Sequence, residues 1–362
     1  MDYQKWKKIY NNFFENLETS ITYKLVRTRN RLKSKKFLQK GDKIDKAYKK
    51  EVKQYWKKYG VRVNYRWYTL YANRTGIQDV RFIPKEIYYT TVDGYFNNRK
   101  MGWGVNDKNY YSIWFSDIKQ PKTINRIING IYYDPEYHMI TKQEWIEKLK
   151  KYDQFIVKPS IENGGSKGIE FYDKTKNQET IEQFISQFKE QNYIIQEIVK
   201  QHKNLDEIHH DSLNTIRVMS LLKDNKVNIV STILKMGANG VQVDNVWRGG
   251  LSCGILENGE LKEIAHDHMG NSVTKHPQGF VFKGHKIENF DKVIDLVTKA
   301  HERMGHFRLI SWDIAIGEDG EPILVEANMR NGGINIHQFN NGSLFGDMTD
   351  EVLAEVFRKK EK

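Results

Sequence analysis

A chain of 362 residues exceeds the roughly 250–300 at which one hydrophobic core stops growing, so two or three lobes are expected. Hydrophobic residues make up 39%, prolines number only six and aromatics are plentiful, which excludes a disordered or fibrous chain. The single cysteine, Cys253, excludes an intrachain disulfide, and no apolar run reaches the ~18 residues that a bilayer span needs.

The opening stretch MDYQKWKKIY lacks the apolar centre of a signal peptide, so a cytoplasmic location is expected. The net charge of +12 is unevenly placed: residues 1–58 hold 18 Lys/Arg against 6 Asp/Glu, and the remainder is balanced. WKKIYNNFFENL and DKAYKKEVKQYWKKYG space their aromatic and apolar residues as helices do, with lysines between. Two readings of this basic helical arm stand side by side. It is a solvated helix packed on its own protein, or it lies on an anionic membrane surface, which would place the chain at the inner face of the cell membrane. Nucleic acid is not expected as a partner, because the rest of the chain is neutral and carries no nucleic-acid motif.

From Val61 to about Asn109 the chain is aromatic-rich and reads as mixed α/β. TKQEWIEKLKKY predicts a helix, with Thr141 and Glu144 at capping-box spacing and Trp145, Ile146 and Leu149 on one face. QFIVKP (154–159) predicts a strand ended by proline, followed by the glycine loop ENGGSKG and a short strand IEFYD. Ile181, Phe184, Ile185 and Phe188 predict a helix, and YIIQEIV the next strand. NTIRVMSLL and KVNIVSTILK flank KDN as a hairpin. Phe290, Val293, Ile294, Val297 and Met304 predict a helix closed by Gly305.

The segment SWDIAIGEDGEPILVEANMRNGG (311–333) sets an acid in each of two apolar runs. A two-residue turn at Asp319-Gly320 would pair Trp312 with Ala327, Ile314 with Val325 and Ile316 with Ile323 on an apolar face. The other face then opposes Asp313 to Glu326 and Ser311 to Asn328. Like charges so placed repel, and Mg²⁺ held by two carboxylates and an amide oxygen is one way to neutralise them. A solvated outer face is the other. Upstream, IVKPSIENGGSKGIEFYD places a lysine at a strand end before a glycine-rich loop, which suits phosphate binding but equally an ordinary turn; no Walker A sequence occurs.

Together and in this order these segments resemble the ATP-grasp superfamily, with the sugar-transfer-associated branch the nearest, over about residues 61–350. The resemblance is carried by NDKNYY (106–111), VKPSIENGGSKG (157–168), IIQEIVKQH (194–202), NTIRV (214–218), DNVWRGG (244–250), WDIAI (312–316) and VEANMRNGG (325–333). It implies an α+β fold in which two α+β lobes clasp ATP, preceded by the basic arm. The expected division is an arm over 1–60, a mixed α/β region over 61–120, a small ATP-binding lobe over 121–200 and a large lobe with metal and acceptor sites over 201–362.

The resemblance also implies roles. Lys108 and Lys158 would contact phosphates, beneath a loop of Gly164, Gly165, Ser166 and Gly168. Gln196, Glu197 and Val199 would meet the adenine, Asp206 the ribose, and Lys235 a further phosphate. Asp313, Glu326 and Asn328 would hold Mg²⁺, with Mn²⁺ as an alternative ion. Arg217, Arg330 and Lys158 would be catalytic, with Arg330 and Arg248 on the acceptor side. The implied reaction is phosphoryl transfer from ATP to a carboxylate, then attack by an amine, on small-molecule or sugar-linked substrates of polysaccharide biosynthesis. Two alternatives stay open: a kinase with a hydroxyl acceptor, and a non-catalytic nucleotide-binding protein that docks at membranes. Cys253 is expected to be a buried apolar residue, and the HHD (209–211) and HDH (266–268) runs to be plain surface groups.

Overall fold

The computed structural model describes residues 21, 24–161, 167–177, 179–188, 191–238, 246–330 and 332–358. The chain forms two compact units, Met1–Phe96 with Gly333–Lys362, and Asn97–Gly332. These cut across the expected boundaries at 60, 120 and 200, because the C-terminal segment belongs with the N-terminal helices.

The first unit is helical. Helices occupy 24–37, Lys46–Lys57 and Tyr65–Thr75, then a run of short turns from Lys85 to Phe96, and finally Asn335–Asn341 and Thr349–Phe357. Side-chain caps fix two starts: Asp45 accepts from the N–H groups of Ala47 and Tyr48, and Asn64 from that of Arg66. Gly76, at φ 72°, ends the third helix in the left-handed conformation that glycine adopts without strain. The stretch expected as mixed α/β from Val61 is therefore helical, and no strand precedes Thr123 among the described residues. Its aromatic residues are core: Trp67, Tyr68, Tyr71 and Phe82 are all fully buried, and Tyr71 stacks on Phe82 at 4.8 Å. Aromatic residues are common in strands, but here their size serves the packing of helices. Two polar clamps tie the C-terminal segment to this core. Tyr71 donates to Asn335 (2.9 Å), and the Gln338 amide brackets Ile83 by accepting from its N–H (2.8 Å) and donating to its carbonyl (3.0 Å).

The second unit holds two antiparallel sheets. Strands β1 (Thr123–Ile128), β2 (Ile131–Tyr133), β3 (Gln154–Pro159), β4 (Glu170–Asp173) and β5 (Tyr193–Gln196) form one sheet, in the order β2-β1-β5-β3-β4. The helix Lys142–Leu149 starts with the expected capping box of Thr141 and Glu144 and drives Trp145 and Leu149 into a core with Phe155, Phe184 and Ile195. β5 ends at Gln196, short of the expected strand through Val199.

β6 (Thr215–Lys223), β7 (Lys226–Met236), β8 (Leu251–Ile255), β9 (Leu261–His266), β10 (Ser272–Val273), β11 (Leu309–Ile316) and β12 (Pro322–Asn328) form the other sheet, in the order β10-β9-β8-β7-β6-β11-β12. The β6–β7 hairpin forms as expected, and Asp224 and Asn225 at φ 52° and 57° give it the doubly left-handed two-residue turn. The helix Phe290–Glu302 buries Val293, Val297 and Ala300 with Val218, Ile310 and Trp312. It is capped by Arg303 and so ends before Gly305, which closes nothing. A buried chain of hydrogen bonds pins it: the Trp312 indole donates to Ser220 Oγ (2.8 Å), Ser220 meets His301 Nδ1 (2.7 Å), and His301 Nε2 donates to the Phe307 carbonyl (2.9 Å). Burial pulls His301 down to about 4, so the ring is neutral at pH 7. Cys253 is fully buried, its thiol pushed up to about 12 by desolvation, as a small apolar residue should be.

Candidate nucleotide-binding site

The β11–β12 hairpin brings Asp313 opposite Glu326, Trp312 opposite Ala327 and Ser311 opposite Asn328, as the sequence suggests, but by another route. Gly317 N–H donates to Glu321 O (2.9 Å) and Gly320 N–H to Gly317 O (2.8 Å), with Gly320 at φ 79°. The loop is therefore three residues, 318–320, with glycine at its left-handed end. That longer loop pairs Ile316 with Pro322, Ala315 with Ile323 and Ile314 with Leu324, so the expected pairs Ile314–Val325 and Ile316–Ile323 do not form. Val325 is the extra residue of a bulge, which restores the register at Asp313.

The same row continues across the sheet, since Arg217 on β6 faces Asp313 on β11. The Arg217 guanidinium binds both Asp313 oxygens, Nε to Oδ1 at 2.7 Å and Nη2 to Oδ2 at 2.5 Å, and Lys235 on β7 reaches Oδ2 at 3.2 Å. The Asp313 side chain is only 4% exposed. Burial alone would raise its pKa, but the two cations more than offset that and hold it at about 2. Glu326 is one-third exposed and pairs with Lys108 (2.8 Å). Burial raises Glu326 as well, yet Lys108 brings it below the ordinary carboxylate range; in return Glu326 keeps Lys108 above the ordinary lysine range against its own desolvation. The repulsion between the opposed acids is thus relieved by the chain's own cations.

Lys108 begins a short 3₁₀ turn, Lys108–Tyr110, whose placement is over-determined. Its N–H donates to Ser160 O (2.9 Å) just beyond β3, while Asn109 donates to Ser160 Oγ (2.9 Å) and the Ile127 carbonyl (3.2 Å). The next residue, Tyr111, exchanges hydrogen bonds through its hydroxyl with the Ala327 carbonyl (3.1 Å) and N–H (3.2 Å). Arg126, 2% exposed on β1, binds the Asn109 carbonyl and Ser112 Oγ (2.9 Å) and lies 4.3 Å from the Tyr137 ring. Sequence reasoning missed Arg126; a lone arginine inside the apolar run TINRII was the signal, because a buried guanidinium needs a dedicated set of partners.

On the five-stranded sheet Lys158 sits near the end of β3, 9% exposed, with Nζ 3.2 Å from Gln196 Oε1 on β5. Gly168 lies before β4 at φ 70°; Gly164, Gly165 and Ser166 lie outside the described residues. Glu197 points elsewhere: its carboxylate pairs with Lys122 (2.7 Å) and its N–H donates to the Lys122 carbonyl (2.9 Å). Val199 lies in irregular chain, and Asp206, exposed, accepts from Gln201 (3.1 Å). Arg330 packs its stem on Gly102, where a Cβ would collide with Arg330 Cδ, so the missing side chain at 102 makes room for the arginine. Arg248 is exposed in a 3₁₀ turn, Val246–Arg248.

The acids and amide suit a hard divalent ion in chemistry: two carboxylates and an amide, whose oxygen can serve as a ligand, share one face of two adjacent strands. The HHD and HDH runs build no such group; among the described residues the one cluster of ligand atoms within 4.8 Å is Asp134, Glu136 and His138, where Lys148 is 3.5 Å from Asp134.

The ATP-grasp ligase PsnB, complexed with a phosphomimetic variant of minimal precursor, Mg and ADP, is similar at 14% identity over 72% of this chain and 61% of its own, with a TM-score of 0.42. D-cycloserine synthetase DcsG is similar at 13% identity over 70% of each chain (TM-score 0.41). D-alanyl-alanine synthetase A from Vibrio cholerae O1 biovar eltor is similar at 14% over 70% of this chain and 64% of its own (TM-score 0.40). The chain thus spans less than two thirds of PsnB. No curated protein matches. Residues 90–352 match the model of the sugar-transfer associated ATP-grasp family, and the chain belongs to that family.

Proposed function

We propose that the protein is an ATP-dependent carboxylate–amine ligase that works through an acylphosphate, with a sugar-linked or cell-surface polysaccharide precursor among its substrates. The observation that carries this reading is the row Arg217–Asp313–Glu326, joined by Lys235 and Lys108, in a chain of ATP-grasp membership. Four cationic side chains, Lys108, Lys158, Arg217 and Lys235, are held by buried or half-buried partners and so are fixed in place, as binding of a polyphosphate requires.

In this reading Asp313, Glu326 and Asn328 hold Mg²⁺, which when bound neutralises charge on the phosphate oxygens. Lys158 and Lys235 orient the phosphates, Gln196 lies beside the adenine, and Asp206 binds the ribose. A substrate carboxylate oxygen, steered by Arg330, attacks the γ-phosphorus; the bond to the bridging oxygen breaks and ADP leaves with that electron pair. The amine then attacks the acyl carbon, and phosphate departs as the amine loses its proton. Arg217, fixed by Asp313, stabilises the charge that develops on the transferred group. The basic arm gives the protein an anionic membrane surface as partner.

Hydroxylamine tests the acyl step. With ATP, Mg²⁺ and a pool of cell-wall precursors, the protein should yield an acyl hydroxamate and one ADP for each hydroxamate. A stable phosphorylated product with no hydroxamate would instead assign it as a kinase.

A further inference from the structure

The helix 24–37 is packed with its polar side inward. The residues it turns to the protein are Asn30, Ser34 and Phe37, all buried, with Val26 and Arg27 partly so. Asn30 donates to the Val26 carbonyl (3.0 Å), Asn64 donates to Ser34 Oγ (3.0 Å), Arg27 donates to the Arg62 carbonyl (3.0 Å), and Phe37 packs on Trp67 at 5.8 Å. The opposite side carries Leu25 and Leu32, 67% and 64% exposed. At 100° per residue these two fall within about 20° of one another on the helix wheel, and Asn30 and Ser34 lie roughly opposite. An ordinary surface helix does the reverse, burying leucines and exposing amides and hydroxyls.

The flanks of the apolar stripe are cationic. Lys24, Arg31 and Lys35 border it on one side and Arg29 and Lys36 on the other, all exposed, and no acidic residue occurs between 24 and 37. Apolar residues along the centre of a helix face, with long basic side chains on both shoulders, match a lipid interface: leucines enter the acyl boundary while ammonium and guanidinium groups extend to the headgroup phosphates. The same cations would sit poorly in a protein interface, where each would need an acidic partner.

We infer that Leu25 and Leu32 form the insertion face of an interfacial helix that seats this protein on an anionic lipid surface, with Lys24, Arg29, Arg31, Lys35 and Lys36 binding the headgroups. The inference rests on the membrane partner proposed above and names the face that makes the contact. It gives the inverted packing a cause, since the hydrogen bond from Asn64 to Ser34 and the packing of Phe37 on Trp67 hold the stripe outward.

The test is sedimentation of the full chain with vesicles of equal parts phosphatidylcholine and phosphatidylglycerol, and with phosphatidylcholine alone. The unaltered chain should pellet with the first and remain soluble with the second. The double substitution Leu25→Ser and Leu32→Ser, which changes no charge and touches no buried group, should lower the partition coefficient about tenfold or more while leaving ATP binding unchanged. If the unaltered chain ignores anionic vesicles, the membrane partner itself is wrong. If it binds and the double variant binds equally, the arm binds lipid but not through this face. If the unaltered chain forms dimers without lipid that the double variant dissociates, the stripe belongs to a second copy and the inference is overturned.

Discussion

Asp313→Asn is expected to lower the free energy of unfolding by about 3–5 kcal/mol, the usual penalty for removing one partner from a buried ion pair. The reason is local. Arg217 and Lys235 both close on Asp313, whose side chain is 4% exposed, so the amide would take from two cations the carboxylate they share. Urea denaturation gives the value. The triple variant Arg217→Gln, Lys235→Gln, Asp313→Asn should recover part of the loss, because part of the cost lies in the cations left without Asp313. The pH dependence follows the same group. Its folded pKa is depressed to about 2 from 3.8, so its contribution is complete above the unfolded value and is lost as pH falls from near 4 towards 2. An Asp313→Asn protein should lack that portion of the acid transition.

Lys158→Met separates a structural role from a functional one. Lys158 is 9% exposed and its ammonium donates to the Gln196 carbonyl oxygen at 3.2 Å. An apolar side chain of similar length keeps the stem packed and should shift stability by no more than about 1.5 kcal/mol. If that ammonium contacts a phosphate as proposed, the same change should cut kcat/KM for ATP by about 10²–10³-fold, the scale of removing one preorganised donor. Steady-state kinetics together with thermal unfolding would separate the two effects. Loss of stability with ATP kinetics intact would make Lys158 a structural residue.

Much of this was legible in the residues, and the places where it was not share a cause. The facing of Asp313 and Glu326 was reached from a two-residue turn that does not form; the real loop holds one more residue, and the bulge at Val325 takes up the difference. Alternation along a strand reports which face a residue joins but is blind to a compensating pair of irregularities. The turn signal itself was sound where two adjacent residues accept positive φ, as at Asp224 and Asn225. Helix ends were less well marked, because Gly305 carries a stop signal that a cap at Arg303 pre-empts.

The charge logic of the site was half visible. That two opposed acids need neutralising follows from spacing, whereas which cations supply it depends on strand order. Lys235 comes from β7 and Lys108 from a turn more than two hundred residues before Glu326, and no local pattern joins them. The aromatic stretch after Val61 misled for a related reason. Rings that fill a helical core at 65–75 read locally as strand formers, and only packing of Tyr71 on Phe82 with the clamp on Asn335 decides between the two.

Magnesium-dependent ATP binding by Glu326→Gln tests the central claim most directly. This side chain is one-third exposed, so the neutral isostere should fold, and the change removes one proposed metal donor while keeping its shape. Calorimetric titration with ATP, once with Mg²⁺ and once with a chelator, should show affinity rising at least tenfold with Mg²⁺ in the unaltered protein, with most of that rise gone in the variant. An equal rise in both proteins would mean that the acids on this sheet hold no metal against a nucleotide, and the proposed ligase mechanism would fall with them.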